Sequence, residues 1–295
     1  MSYLDNLKSL RNKNTVADLQ AQIEKKTTGG YTKDERYFVP VVDKEGNGSV
    51  TMRFLPPPEG ENAPYVKFIN VSFKAPNGKY FNNKSPRTFG DSCPVYDWNG
   101  QAFDEFGKDG GKEVIKNRGS SFQHRFVSNV LILKAEQQPD AVGKVFLYEY
   151  GNQVFTMIED ATKPDKDDDT KQVFDPFNPF SGANFLLKLK KKGTFAKNVE
   201  DSKFLGVSEL FGGDEDKILE ACQRAYPLQP EISRDKFKSY DKLKTELDNV
   251  LGRATVKAED KLIKTEKVLE ETKAAPTKVS KAEVLFDDDD DQIPF

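Results

Sequence analysis

Apolar and polar positions alternate through much of the middle of the chain. In S-V-T-M-R-F-L-P-P-P, Val50, Met52 and Phe54 alternate with Thr51 and Arg53, between a turn at Asn47–Gly48 and three prolines. That pattern reads as a strand with its own start and stop signals. Y-V-K-F-I-N-V-S-F-K (65–74), F-V-S-N-V-L-I-L-K (126–134), G-K-V-F-L-Y-E-Y (143–150) and A-N-F-L-L-K-L-K-K-K (183–192) read as further strands. The segments between them carry Asn77–Gly78, Pro139 and the proline-rich D-P-F-N-P-F. About five strands with long insertions predict a mainly β chain with helices (α+β), built on a small barrel of the OB type.

A period near 3.6 marks the flanks of this region. Thr15, followed by Asp18 at capping-box spacing, opens a helix with a thin stripe of Leu19 and Ile23 that ends at T-T-G-G (27–30). D-E-D-K-I-L-E-A-C-Q-R-A-Y begins with acids in its first turn, as the helix dipole favours. Ser233 is placed to cap a last helix carrying Phe237, Tyr240, Leu243, Leu247, Val250 and Leu251, with Gly252 to end it. From 252 onward the chain is rich in Ala, Glu, Lys and Thr and too poor in apolar residues to offset its ordering entropy. Three regions follow: 1–30, a basic N-terminal arm and helix; 31–251, the body; and 252–295, a disordered linker ending in an acidic tip.

Charge sharpens that division. Residues 252–295 hold 8 basic and 11 acidic residues, so the net charge of −3 sits there and the remainder is balanced at 37 of each sign. An acidic block on a balanced body reads as an interaction tail. No apolar run approaches the roughly 18 residues of a membrane span, and the first residues lack a secretory signal's apolar stretch. Two cysteines, Cys93 and Cys222, make no disulfide framework. With one histidine, His124, and no nucleophile elbow, phosphate loop or dinucleotide fingerprint, no catalytic residues are assigned. The acids at 165–169 lie among Lys, Pro and Thr and read as a solvated loop.

The candidate chemistry is the interleaving of cations and rings: Lys79-Tyr80-Phe81, Arg87-Thr88-Phe89, Phe122 to Phe126, Tyr148 and Tyr150, and Lys190 to Phe195. Cations neutralise phosphates and ring faces stack on unpaired bases, at about 1–3 kcal/mol per base. With 22 phenylalanines in the chain, any single ring is as readily core. The clustering carries the reading.

Six fragments, S-V-T-M-R-F-L-P, G-D-S-C-P-V, G-K-V-F, G-A-N-F-L-L-K-L-K, D-S-K-F-L and S-R-D-K-F-K-S-Y, stand in an order that resembles the T-even-type bacteriophage single-stranded-DNA-binding proteins. These are the gene thirty-two helix-destabilising family. K-N-T-V-A-D-L-Q-A-Q-I resembles that family's cooperativity segment. The resemblance implies an OB-type cleft for single-stranded DNA, cooperative self-association through the arm, and an acidic tail that engages partners. By position it places Arg53, Tyr80, Phe81, Phe126, Tyr148 and Phe195 in the cleft. Local charge adds Arg87, Arg125, Lys188 and Lys190, and the arm contributes Arg11, Lys13 and Thr15. The match is gapped around 96–122, which leaves Trp98, Phe103, Phe106 and Phe122 unassigned.

The family commonly holds a structural zinc with one His and three Cys. Here the Cys-x-x-Cys position reads Cys93-Pro94-Val95-Tyr96, and Val71 and Ser85 stand where the other ligands belong. One ligand of four remains, so no metal and no other cofactor is expected. The tip D-D-D-D-D-Q-I-P-F resembles that of bacterial single-stranded-DNA-binding proteins, which implies that Asp287, Asp288, Asp289, Asp290, Asp291, Ile293, Pro294 and Phe295 bind partner proteins. Implied partners are single-stranded DNA, other copies of the chain, phage replication and recombination proteins, and host proteins that take such tips, all in the cytoplasm of an infected bacterium. Two alternatives stay open. An RNA-binding translational regulator on the same cleft would be separated by competition between matched DNA and RNA. An acidic-tail adaptor would fail to shift single-stranded DNA in a gel.

Overall fold

A computed structural model describes residues 34–164, 172–192 and 196–253. The chain divides at Tyr37/Phe38 into two units, the first described only over Asp34–Tyr37, where Arg36 pairs with Asp34 at 2.6 Å. The second unit contains the described secondary structure. Its elements run β1 (Gly48–Phe54), β2 (Tyr65–Lys74), β3 (Tyr80–Lys84), α1 (Pro94–Arg118), β4 (Phe122–Ala135) and β5 (Val145–Tyr150). They continue with α2 (Asn152–Ala161), β6 (Ala183–Lys192), β7 (Ala196–Asn198), β8 (Lys203–Val207), α3 (Glu215–Gln223) and α4 (Tyr240–Val250). The fold is α+β.

Among the described residues all strand pairings are antiparallel, in the order β3-β2-β4-β1-β6-β7, with β5 on β4 and β8 on β6. The 14-residue β4 organises the sheet. Its first half pairs with β2, its second half with β1, and its middle with β5 on the other edge. A register shift between Thr51 and Met52, opposite Lys134 and Ile132, marks a bulge within the β1–β4 pairing, which adds local twist there. Among the described residues β5 pairs with β4 alone and β8 with β6 alone, so hydrogen bonds do not close the sheet into a complete barrel.

Three apolar clusters form among the described residues; the smallest packs Ile218 and Ala221 of α3 with Leu210 on Leu55, Leu131 and Val145, and the other two are the cores that frame the site. The first of these gathers Met52 and Phe54 of β1, Phe126, Val130 and Ile132 of β4, Tyr148 and Tyr150 of β5, and Phe185 and Leu187 of β6 beneath Val154 and Ile158 of α2. The second lies where the β2–β3 hairpin meets α1 and α4. There Val71, Phe73 and Phe81 pack on Cys93, Val95, Trp98, Leu243, Leu247 and Val250.

Two strands, 65–74 and 183–192, are found as expected, but the sheet has eight strands where about five were read. β4 begins at Phe122, and β3, β7 and β8 are additional. The last helix begins at Tyr240. Phe237 is extended (φ −110°, ψ 129°), because its ring leaves the helical path to pack edge-on against Phe89 at 4.8 Å. α1 carries Pro94 in its first turn and a left-handed cap at Gly119 (φ 63°), yet it breaks at Gly107 (φ 71°, ψ −174°). Beyond the break Gly111 returns so close to Phe103 that a Cβ there would lie 2.9 Å from the Phe103 Cα. No helix among the described residues is long and apolar enough to cross a membrane.

Candidate nucleic-acid interface

Alternation along β2 and β4 decides which side chains meet. Lys67 lies opposite Phe126, Ile69 opposite His124 and Val71 opposite Phe122. Side chains two apart share a face. Tyr65, Lys67, Ile69, Val71 and Phe73 therefore share a face with Phe122, His124, Phe126 and Ser128. One end of this face belongs to the first core and the other end to the second, so a strip centred on Lys67, Ile69 and His124 lies between two apolar masses.

Half-buried rings flank the strip. On the first-core side Tyr65 meets Phe155 edge-on at 5.2 Å and Phe126 at 6.0 Å, and the exposed Lys67 places Nζ 5.6 Å from the Phe126 centroid. On the other side Phe122 contacts Tyr96 at 6.2 Å, and the Arg87 guanidinium stands 4.2 Å above the Tyr96 ring. Rings held at the solvent boundary, each side with a cation, supply stacking faces and phosphate contacts together.

The expected cleft residues separate into distinct environments. Arg87 joins the strip, but four of the others are core and need correcting. Arg53 is fully buried, and its Nη2 donates to the carbonyls of Asn178 (2.8 Å), Ser208 (3.0 Å) and Pro179 (3.3 Å). Burial lowers its pKa. Phe81 stacks on Phe73 inside the second core at 5.3 Å. Phe126 is sandwiched against Phe155. Tyr148 is buried against Tyr150, and burial pushes both hydroxyls above their ordinary range. A side chain with almost no exposed surface has no face to offer a base.

Arg125 falls on the opposite face of β4, opposite Phe68, where its Nε pairs with Glu149 at 3.3 Å. It too is buried, with its charge already matched. Tyr80 is half exposed, with Lys74 Nζ 5.3 Å from its ring, and its register with Lys74 puts it on that opposite face. Lys188 and Lys190 are exposed on β6, and Lys190 pairs with Asp201 in a contact that raises its pKa and lowers that of the carboxyl. Of the unassigned aromatics, Phe122 joins the strip and Trp98 is buried beneath Arg118 at 4.5 Å, while Phe103 and Phe106 lie beside the α1 break. Phe195, Arg11, Lys13, Thr15 and Asp287–Phe295 lie outside the described residues.

Sequence reading missed Tyr65, Lys67, Tyr96 and Phe155. The first two were legible in principle, because Y-V-K opens a strand whose alternate positions lead into a core. Tyr96 and Phe155 sit on helices that the pattern did not disclose.

The zinc positions were tested against the donors present. Val71 offers none, and Cys93 packs among Phe73, Trp98 and Leu243. The Ser85 hydroxyl accepts the Arg87 N–H at 3.3 Å, and Tyr96 lies under Arg87. One thiol does not fit a four-ligand tetrahedral ion. Among the described residues no three His, Cys, Asp or Glu cluster in a metal-holding arrangement.

The family model described as "gp32 DNA binding protein like" matches residues 46–251. The chain is 32% identical to the single-stranded DNA-binding protein of Enterobacteria phage T2 over 248 residues, covering 82% of this chain and 80% of the relative. Its likeness to the protein of the same name from Enterobacteria phage T4 is also 32%, over 247 residues, covering 82% and 79%. A third protein so named, from Escherichia phage SV14, is 36% identical over 86 residues, which is 28% of this chain and 75% of the relative.

Proposed function

The chain belongs to the gp32 DNA binding protein like family, and from that premise we propose that it coats single-stranded DNA without catalysing a reaction. The observation that carries this reading is the strip between the two cores, where Lys67 and Arg87 stand among the half-buried rings of Tyr65, Phe155, Phe122 and Tyr96. A duplex hides its base faces, so stacking on these rings selects the unpaired strand. Selective binding then draws hairpins and duplex ends toward the single-stranded state by mass action. Lys188 and Lys190 on β6 extend the cationic surface available to phosphates.

Around this centre the arm, with Arg11, Lys13 and Thr15, serves self-association along the strand. The tip, Asp287–Asp291 with Ile293, Pro294 and Phe295, recruits replication, recombination and repair proteins of phage or host, in the cytoplasm of the infected cell. The second core is held by apolar packing and takes no metal.

Fluorescence anisotropy with matched single-stranded DNA, single-stranded RNA and duplex oligomers over a salt series tests the reading. Expected are preference for single-stranded DNA and a linear fall of log K with log salt. Tighter binding to the RNA oligomer, or to the duplex, overturns it.

A further inference from the structure

Lys67 and Arg87 are permanent cations of the strip, and a third group beside them changes charge with the medium. His124 is the single histidine of the chain and sits half-buried at the centre of the strip, opposite Ile69. The Ile69 N–H donates to Thr88 Oγ1 at 2.9 Å and its carbonyl accepts from the Ser85 N–H at 2.8 Å, so its backbone polar groups point away from β4. Ile69 and His124 are therefore a non-hydrogen-bonded pair, the kind in which facing side chains lie closest. The same two bonds hold the turn at 85–88, and Arg87 with it, along the far edge of Ile69. Lys67 lies two residues along β2 on the same face, a diagonal neighbour of His124 at roughly 7–8 Å.

The charges on the bordering elements decide what this position suits. β2 and β4 carry no acid on the strip face. Arg125, next along β4, points to the other face and takes Glu149 with it. Beyond the 85–88 turn, Asp91 pairs with Arg234 at 2.6 Å. In the first turn of α1, Asp97 accepts the Tyr240 hydroxyl at 2.8 Å. α2 meets β4 through Phe155, near its start, while Glu159 and Asp160 stand in its last turn and Glu159 pairs with Lys163. Among the described residues, then, the charged groups on this face are cations set between apolar rings, an environment made for an anion.

Resting on the reading of the strip as the path of the strand, we propose that His124 is a third phosphate contact, engaged in its protonated form, so that binding single-stranded DNA takes up a proton. A neutral imidazole has one N–H to donate, whereas the imidazolium donates from both ring nitrogens and brings a charge to the phosphate. Histidine is the side chain whose ordinary titration falls between about pH 5 and 8. Phosphate and proton at one position favour each other's binding, and by linkage the effect is reciprocal. Affinity therefore rises as pH falls. With no second histidine in the chain, the effect is traceable to one residue.

The test is fluorescence anisotropy of the full chain with an oligothymidine over a salt series, at about pH 8 and about pH 5.5. The parent should bind about tenfold more tightly at the lower pH, as one charge-assisted contact gives, with a salt slope steeper by about 0.7. His124→Gln should lose most of that gain, and His124→Lys should hold the tighter affinity at both pH values. Parent-like melting temperatures certify the variants as folded. The unaltered chain supplies an independent readout: its one imidazole gives a single set of ring-proton resonances, and a saturating oligonucleotide should move their titration midpoint to higher pH. Equal parent affinities at the two pH values, a gain undiminished in His124→Gln, or a midpoint unmoved or lowered by the oligonucleotide would each overturn the inference and leave the coating reading intact. Failure of the parent to bind the strand at either pH would take both down.

Discussion

Phe126 and Phe155 lie face to face, with ring centroids 3.8 Å apart and planes 6° from parallel. The pair joins the middle of the sheet to α2 and closes the Phe126 ring from solvent. Phe126→Ala should therefore act on stability, costing about 3–5 kcal/mol as expected for a buried phenylalanine. Urea unfolding measures that loss directly. Affinity for single-stranded DNA, measured well below the midpoint, should stay close to that of the parent chain. A variant of unchanged stability that binds poorly would return Phe126 to the stacking surface.

Arg53 ties β1 to the turns at 178–179 and 208 through three carbonyls, and Gly182 completes the same knot. A Cβ at 182 would lie 2.8 Å from the Asp175 carbonyl oxygen and 3.0 Å from Arg53 Nη2. Arg53→Met removes the guanidinium from all three; the Asn178 and Pro179 carbonyls keep the N–H groups of Gly182 (3.0 Å) and Leu210 (2.8 Å), so the cost should be about 1–3 kcal/mol. Gly182→Ala should damage the same contacts, so the double variant should lose less than the two single losses added. Strict additivity in thermal or urea unfolding would show that the two residues act separately.

What could be read from the chain depended on periodicity. β2 and β6 show clear alternation with stop signals, and both were legible over their full length. α1 was hidden because Gly100, Gly107, Gly110 and Gly111 lower its helix propensity, and the helix does break at Gly107. The candidate site was legible as chemistry but not as a surface. Clustering along the chain counts both faces of a strand, whereas one residue of register separates His124 on the strip from Arg125, buried against Glu149. Arg87 survived because it lies in a short turn, outside that alternation. Tyr96 could not have been found without the path of α1.

Arg87 and Tyr96 allow the two parts of binding to be separated. Tyr96→Leu keeps apolar volume and removes a stacking face, so affinity for single-stranded DNA should fall by about 1–3 kcal/mol with an unchanged salt dependence. Arg87→Gln removes a cation and should lower the magnitude of the log K against log salt slope by about 0.7 if it meets one phosphate. Anisotropy titrations over a salt series distinguish the two. Parent-like binding by both variants would move the interface off this strip.

The second core gives a prediction about metal. Val71 and Cys93 pack directly among Phe73, Trp98, Leu243 and Leu247, in surroundings that stabilise by burial and do not solvate an ion. Purified protein should carry well under one zinc per chain, and a strong chelator should leave its melting temperature unchanged. Stoichiometric zinc, or a chelator-induced drop, would show that a ligand set forms which the positions of Val71, Ser85 and Cys93 do not suggest.

Lys190 reaches solvent from β6 but is engaged by Asp201, which holds the lysine above and the carboxyl below their ordinary pKa ranges. The pair therefore stays charged around neutral pH, and any effect of breaking it should be flat there; it is lost as pH falls through the lowered Asp201 value or rises through the raised Lys190 value. Asp201→Asn leaves the cation without its acid. Because both groups are exposed, the cost to stability should be negligible. Lys190 would then be available to a phosphate, steepening the salt dependence by about 0.7 and tightening binding most at low salt, where screening is weakest. Titrations of the parent and Asp201→Asn proteins at two salt concentrations decide the matter. Equal affinities at both would place β6 beyond the path of the strand.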